Sequence, residues 1–323
     1  MASNFMVVGG SNNLPENLRG AVVAIGNFDG IHIGHQYLLS EALDLAKELN
    51  YPALVLTFEP HPITVHTADK MLYRISTNSQ KYKIIEIMGF SGVVEQPFDE
   101  WLMNLSSDEF IDKILIQNLG VKAVVVGGNF CFGKNRAGNY NLLASCDKFI
   151  TKAVNVQKLN HTTISSSYIR ELLSKGQVKE AADVLGYHFI IEKEVIHGAK
   201  LGRKLGFPTV NMEITEDIPL KHGIYAVKFI RSNGKVLNGV ASVGKRPTVV
   251  EDGKPLLETY LFDFNEEIYG EHAKVVFFEY IREEKRFANI DQLVIQMKLD
   301  AAQAAEIVFN ASPISEIDQK LCF

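Results

Sequence analysis

A chain of 323 residues is long for one hydrophobic core, so two domains are expected. Hydrophobic content of 46% with 22% charged residues describes an ordinary soluble globular protein, and a formal net charge of −5 argues against a nucleic-acid backbone as its main partner. Cys131, Cys146 and Cys322 form no CxxC pair, the first residues lack a basic flank before an apolar core, and no apolar run is long enough to span a bilayer. These features exclude a disulfide framework, a thiolate metal site and a membrane partner, and they lead us to expect a cytoplasmic protein without a secretory signal.

The first half alternates strand-like and helix-like segments. Residues 21–25 (AVVAI), 53–58 (ALVLTF) and 122–127 (KAVVVG) are short, continuous and rich in β-branched residues, as buried strands are. Between them, Leu38, Leu39, Ala42, Leu45, Ala46 and Leu49 form one helical stripe. Phe110, Ile111, Ile114, Leu115 and Leu119 form another, behind a capping box at Ser106-Ser107-Asp108-Glu109. Such alternation predicts a parallel sheet with helices on its faces.

Near Leu185-Gly186-Tyr187 the character changes, and the domains are expected to be residues 1–185 and 186–323. Beyond that point GIYAVKFI and VLNGVASVG flank Ser232-Asn233-Gly234-Lys235, a strong hairpin signal. LLETYLFDF and KVVFFEYI read as further strands. A long amphipathic helix follows, with Ile290, Leu293, Met297, Ala301, Ala304 and Val308 on one side. The second half is therefore expected to be a small antiparallel β-barrel with a C-terminal helix packed against it.

Residues 26–36, GNFDGIHIGHQ, occupy the turn from the first strand to its helix, where open α/β sheets bind ligands. Gly26, Gly30 and Gly34 permit tight turning, and the helix start offers backbone N–H groups to an anion. His32 and His35 add donors suited to charge on a phosphate oxygen. A lone HxxH is more often a pair of surface histidines, and no third ligand at a recognisable spacing supports zinc. The helix start ISSSYIRELL places Ser166, Ser167 and Arg170 together, a second phosphate cradle that plain N-capping does not account for. Loop VGGNFCFGKNRAG follows a strand and carries Asn129, Lys134 and Arg136.

Together GNFDGIHIGHQ, TFEPHP, VGGNFCFG and ISSSYIR resemble the HxGH nucleotidyltransferases, and more narrowly the FAD synthetase module of bacterial bifunctional riboflavin kinase/FMN adenylyltransferases. The resemblance implies a Rossmann-like α/β fold and in-line attack of the FMN phosphate on the α-phosphorus of ATP, releasing pyrophosphate. It implies that His32 and His35 contact the ATP phosphates and that Gly26, Asn27, Phe28 and Gly34 shape the nucleotide pocket. Ser166, Ser167 and Arg170 would hold phosphate, and Pro60, His61 and Asn129 would line the flavin side.

In the second half, GRKLGFPTVN is glycine-rich and basic but is not a Walker A loop. A hydroxyl and an amide two residues apart after a proline could present oxygens to Mg²⁺ and phosphate, or could simply close a barrel loop. With period two, Leu256, Glu258, Tyr260, Phe262 and Phe264 share a face. Glu258 is then either a carboxylate among apolar neighbours, raised towards a general base, or a surface charge. This half resembles the riboflavin kinase module through GRKLGFPTVN, GIYAV, GKRPT, the Glu258 strand, LFDFNEEIYG and YIREEKRF. The resemblance implies that Gly202, Thr209 and Asn211 bind Mg-ATP, with Thr209 and Asn211 on the metal, and that Glu258 deprotonates the ribityl hydroxyl of riboflavin. Arg282, expected on the face of Phe278 and Tyr280, would close the flavin site or form a buried ion pair.

Four positions depart from the family pattern: Ser167 for threonine, Val210 for alanine, Cys131 for a frequent arginine and Ser242 for asparagine. The alternatives are a nucleotidyltransferase with another acceptor, and a flavin-binding regulator that has lost turnover.

Overall fold

The computed structural model describes residues 5–66, 74–155, 158–159, 162–198, 202, 205–215, 218–245 and 255–323. Residues 246–248 of GKRPT and residues 203–204 of the glycine-rich run lie outside them. The chain divides into two compact units, Met1–Leu72 with Ser76–Ser165, and Tyr73–Ile75 with Ser166–Phe323.

The first unit is built on a parallel sheet of six strands: β1 (Met6–Gly9), β2 (Val22–Ile25), β3 (Ala53–Glu59), β4 (Gly92–Pro97), β5 (Ala123–Gly127) and β6 (Ile150–Val154). Their order is β1-β4-β3-β2-β5-β6, and every pairing is parallel. Every residue of β2 is buried, as a strand covered on both faces requires. One cover is helix α1 (Ile33–Leu49), which buries Leu38, Leu39, Ala42 and Ala46 and packs on β2 and β5. Opposite, Phe110, Ile111, Ile114 and Leu115 join Val23, Ile25, Val124 and Val126 in one apolar cluster. The capping box forms at Ser106 and Glu109, but the stretch Phe110–Asn118 winds as a π-helix. Helix α2 (Asn78–Met88), packed on β4, begins with a second capping box between Thr77 and Gln80. Because the chain leaves β2 towards β3 on one side and reaches β5 on the other, a crevice opens at the carboxyl end of β2.

In the second unit, helices α3 (Ser166–Ser174) and α4 (Val178–Leu185) pack together ahead of an antiparallel sheet. Its strands are β7 (Phe189–Glu194), β8 (Thr209–Glu213), β9 (Gly223–Ile230), β10 (Val236–Lys245), β11 (Pro255–Leu261) and β12 (His272–Arg282). The order is β7-β12-β9-β10-β11-β8. The sheet curls until its two edges meet at a bridge, where Ile196 N–H donates to Asn211 O at 2.8 Å. The hairpin between β9 and β10 turns at Asn233-Gly234, with Gly234 at φ 83°. Helix α5 (Ile290–Phe309) packs on β9, β10 and β12. A last helix, α6 (Glu316–Cys322), docks through Asp318, whose carboxylate accepts from His188 N at 2.9 Å and meets His188 Nδ1 at 2.9 Å.

Three expectations need correction here. Strand β11 stops at Leu261 and the chain turns at Asp263 (φ 52°), so Phe262 and Phe264 leave the face of Glu258. Two register shifts between β9 and β12 break the alternation of Phe278, Tyr280 and Arg282. Phe278 packs on His188 and Tyr280 on Tyr225, while Arg282 turns to α5. On α5 the buried positions are Asp300, Ala304 and Val308, whereas Ile290 is 63% exposed at the helix start.

Candidate active sites

The turn after β2 is held open under strain. Phe28 (φ 51°) and Ile31 (φ 27°) adopt left-handed backbone, each costing on the order of 1–3 kcal/mol, and both side chains are fully buried. A side chain at Gly26 would meet the Phe28 ring at 2.9 Å, so glycine lets that ring fold beneath the turn. From across the unit, Gly30 N–H donates to Ser76 Oγ at 3.1 Å and Ser76 N–H donates to Asp29 Oδ1 at 3.4 Å.

His32 is the N-cap of α1, and its Nδ1 accepts the His35 backbone N–H at 3.2 Å. That bond leaves the proton of neutral His32 on Nε2, a donor directed away from the cap. The two imidazoles stack, with centroids 3.6 Å apart and planes 13° from parallel, and Phe28 meets His35 edge-on at 5.3 Å. Burial pushes His32 down to about 4. Burial again, then the neighbouring His32 and Lys81, hold His35 well below the usual imidazole range. His35 Nδ1 is buried without a hydrogen-bond partner. Both imidazoles are therefore uncharged at neutral pH.

The neighbouring strand ends converge on the same crevice. After β3, Pro60 is exposed behind a cis peptide with Glu59, and His61 Nδ1 accepts from Ile63 N at 3.2 Å. After β5, Asn129 stands exposed in the turn, and Phe130 N–H closes that turn on Gly127 O at 2.9 Å. Gly26, Asn27, His32, Pro60, His61 and Asn129 thus sit on the carboxyl-end loops of three adjacent strands, and Gly34 and His35 on the first turn of α1. Ser166, Ser167 and Arg170 lie on the first turns of α3, in the second unit, with Ser167 exposed and the other two half-buried. Sequence reasoning missed Lys81 on α2, which is buried and donates to Thr57 Oγ1 at 3.3 Å. No spacing marks it, because only the packing of α2 aims it at β3.

In the second unit, strand register assembles the other set. Asn211 on β8 lies directly across from Glu258 on β11, and Thr209 across from Tyr260. On the other side of Glu258 stands Ser242 of β10. Glu258 is half-buried, on the face alternating with the deeply buried Leu257, Thr259 and Leu261. Asn211 is buried; its Nδ2 donates to Thr209 O at 3.1 Å, while its Oδ1 is buried with no hydrogen-bond partner. Gly198 packs so tightly on the Asn211 amide that any side chain there would displace it. Gly202 lies against Phe207 O in the same way, with Thr209 Oγ1 nearby. Beside Thr209 opens a cavity of ≈ 450 Å³, lined among others by Val195, Pro208, Phe264, Ile268 and Tyr269. Its far wall is tied down where Arg231 pairs with Glu266 at 2.6 Å and Glu271 at 3.1 Å.

Arg282 forms the buried ion pair. Its Nε and Nη2 donate to the two oxygens of Asp300 at 2.9 and 2.6 Å, and Gln296 Nε2 donates to Asp300 Oδ1 at 2.9 Å. Among the described residues no group of three or more His, Cys, Asp or Glu could hold a metal. The oxygens of Thr209 and Asn211 are instead hard donors of the kind Mg²⁺ accepts, and the orphaned Asn211 Oδ1 fits such a ligand.

Comparison with known proteins follows the same division. A family model for FAD synthetase matches residues 14–168, and one for riboflavin kinase matches residues 185–308. The chain is 36% identical over 308 residues to a bifunctional riboflavin kinase/FMN adenylyltransferase of Haemophilus influenzae, covering 94% of this chain and 99% of that protein. It is 37% identical to the enzyme of that description from Pseudomonas fluorescens, covering 92% and 96%. A crystal structure described as a macrolide-efflux protein from Streptococcus pneumoniae matches with a TM-score of 0.83 at 28% identity, covering 95% of this chain and 99% of that one. No described helix of this chain is long and apolar enough to cross a membrane.

Proposed function

The chain belongs to the bifunctional riboflavin kinase/FMN adenylyltransferase family, and we propose that it runs its two reactions at the two sites described above. The C-terminal region phosphorylates riboflavin to FMN with ATP, and the N-terminal region adenylylates FMN to FAD with release of pyrophosphate. The residue roles are our reading, and so are the functional boundary between residues 1–185 and 186–323 and a cytoplasmic setting. The free thiols Cys131, Cys146 and Cys322 support that setting.

For FMN adenylylation, a phosphate oxygen of FMN attacks the α-phosphorus of ATP in line as the bond to pyrophosphate breaks. No protein nucleophile is required, and positioning supplies the rate. His32 Nε2–H and His35 donate to the reacting phosphate oxygens, and the strained turn holds both rings in place. Gly26, Asn27, Phe28 and Gly34 shape the nucleotide pocket. Pro60, His61 and Asn129 line the flavin side, while Ser166, Ser167 and Arg170 form a phosphate-binding helix start.

For riboflavin phosphorylation, Glu258 takes the proton of the ribityl hydroxyl as its oxygen attacks the γ-phosphorus and ADP leaves. Thr209 and Asn211 would hold Mg²⁺, which supplies charge neutralisation on the nucleotide phosphates when bound. Gly202 and the cavity beside Thr209 receive the nucleotide. Arg282, occupied by Asp300, serves the flavin site by fixing α5 rather than by touching flavin.

The observation that carries the kinase assignment is the register setting Asn211 across from Glu258, 47 positions apart in the chain (258 − 211). Glu258→Gln should slow FMN formation from riboflavin by about a hundred- to ten-thousand-fold while leaving FAD formation from FMN intact. In the same assay Asn211→Leu should raise the Mg²⁺ concentration needed for half-maximal phosphorylation. Full phosphorylation by Glu258→Gln would refute the base assignment.

A further inference from the structure

Helix α5 packs on β9, β10 and β12 and buries Asp300, Ala304 and Val308. Its opposite face is open. Ile295 is 60% exposed, Leu299 59% and Phe309 83%, and Lys298, Ala302 and Glu306 are exposed among them. All six lie within about 60° of Ala302 around the helix axis, in one stripe about 21 Å long. Single exposed apolar side chains are ordinary on a protein surface. Three large ones aligned along one helix face make a continuous apolar strip of the kind that association covers.

The stripe is symmetric about Ala302. Ile295 and Phe309 each stand seven positions from it (302 − 295 and 309 − 302), and Lys298 and Glu306 each stand four (302 − 298 and 306 − 302). A second α5 laid antiparallel on the first, with the twofold axis at Ala302, sets Ile295 against the other copy's Phe309 twice. The same operation sets Lys298 against the other copy's Glu306 twice. Ala302 meets its counterpart at the crossing, where a small side chain permits close approach, and Leu299 flanks it. A parallel, in-register pair would instead oppose Lys298 with Lys298 and Glu306 with Glu306. The complement of the stripe is thus the stripe itself, the property of a contact between identical chains.

We propose that the outer face of α5 is a self-association surface, on which a second copy of this chain docks its own α5 antiparallel about a twofold axis at Ala302. The apolar ends of the stripe supply the driving force, and the two Lys298–Glu306 contacts set direction and register. A single helix face makes an interface below the ~1,200 Å² of stable complexes, so the dimer is a weak one that forms as concentration rises. None of the residues assigned to either reaction takes part in it.

The test is sedimentation velocity of the full chain from micromolar to submillimolar concentration, with circular dichroism of each variant to check folding. The parent should pass from monomer to dimer across that range. Phe309→Ser, which removes an apolar contact at both ends, should weaken dimerisation by about tenfold or more. Lys298→Glu should weaken it about tenfold by placing two carboxylates together at each end. The double variant Lys298→Glu with Glu306→Lys should return to the parent's affinity. Chains carrying only Lys298→Glu, mixed with chains carrying only Glu306→Lys, should pair with each other more tightly than either pairs with itself. A parent that stays monomeric throughout would overturn the proposal, as would a dimer indifferent to Phe309→Ser. A dimer weakened by Lys298→Glu but not restored by the charge swap would overturn the antiparallel register.

Discussion

At the residue scale, the histidine pair shows how a short motif acquires its chemistry. The sequence supplies two imidazoles three positions apart; the fold makes one the cap of α1, stacks the other on it and buries both. An imidazole whose folded value lies near 4 against an ordinary 6.5 resists protonation in the native state. Between those limits the unfolded chain binds more protons, so stability is fully present above pH 6.5 and declines as the pH falls to about 4. For His32 that loss amounts to about 3 kcal/mol. The first unit should therefore unfold progressively more easily from pH 6.5 down to 4, and His32→Asn, which keeps a capping oxygen, should flatten that slope in denaturant titrations. An unchanged slope would mean that His32 titrates normally in the folded protein. The pair was legible in the sequence because both residues fall inside one turn. Lys81 was not, since a lysine among NSQKYKIIEIM carries no mark of burial until α2 is laid against the sheet.

At the scale of elements, register is what joins residues that spacing leaves apart. Strand β8 meets β11 so that Asn211 faces Glu258, and β10 meets β11 so that Ser242 faces the same carboxylate from the other side. Strands β9 to β12 were readable from their composition, but β8 was read as part of a loop, and the pairing was not readable, because order 9-10-11-8 returns an early strand to a late one. Bulges had the same effect on β12, where period two failed at Phe278 and Ile281 and sent Arg282 to α5. That contact leads to a stability test. Arg282→Met strands Asp300, which is 4% exposed, and should cost about 3–5 kcal/mol. The double variant Arg282→Met with Asp300→Leu should recover most of this, because no charge is then left unpaired. A single variant as stable as the parent, in chemical denaturation, would show that the pair contributes nothing to docking α5. Helix α6 was missed because its seven residues hold no full amphipathic repeat, and its place is set by the Asp318–His188 contact.

At the scale of the molecule, two unrelated sheets each carry one reaction, and the product of one is the substrate of the other. The parallel sheet was legible in kind, because alternation of apolar runs and helical stripes admits few other folds, although only its strands β2, β3 and β5 were read and β1, β4 and β6 were not. The barrel was legible in kind, although its closure by the Ile196–Asn211 bridge depends on contacts that no local pattern reveals. Separate sites make a sharp demand: a lesion in one should leave the other working, and two differently damaged chains should complement each other through diffusing FMN. The decisive measurement follows riboflavin, FMN and FAD by chromatography during incubation of riboflavin with ATP and Mg²⁺. It compares the parent chain, Glu258→Gln, His32→Asn, and an equimolar mixture of the two variants. The parent should make FMN and then FAD, Glu258→Gln should leave riboflavin nearly unchanged, and His32→Asn should stop at FMN. The mixture should again reach FAD. FAD from riboflavin with either variant alone, or no FMN from His32→Asn, would contradict the assignment of the two reactions to these two sites.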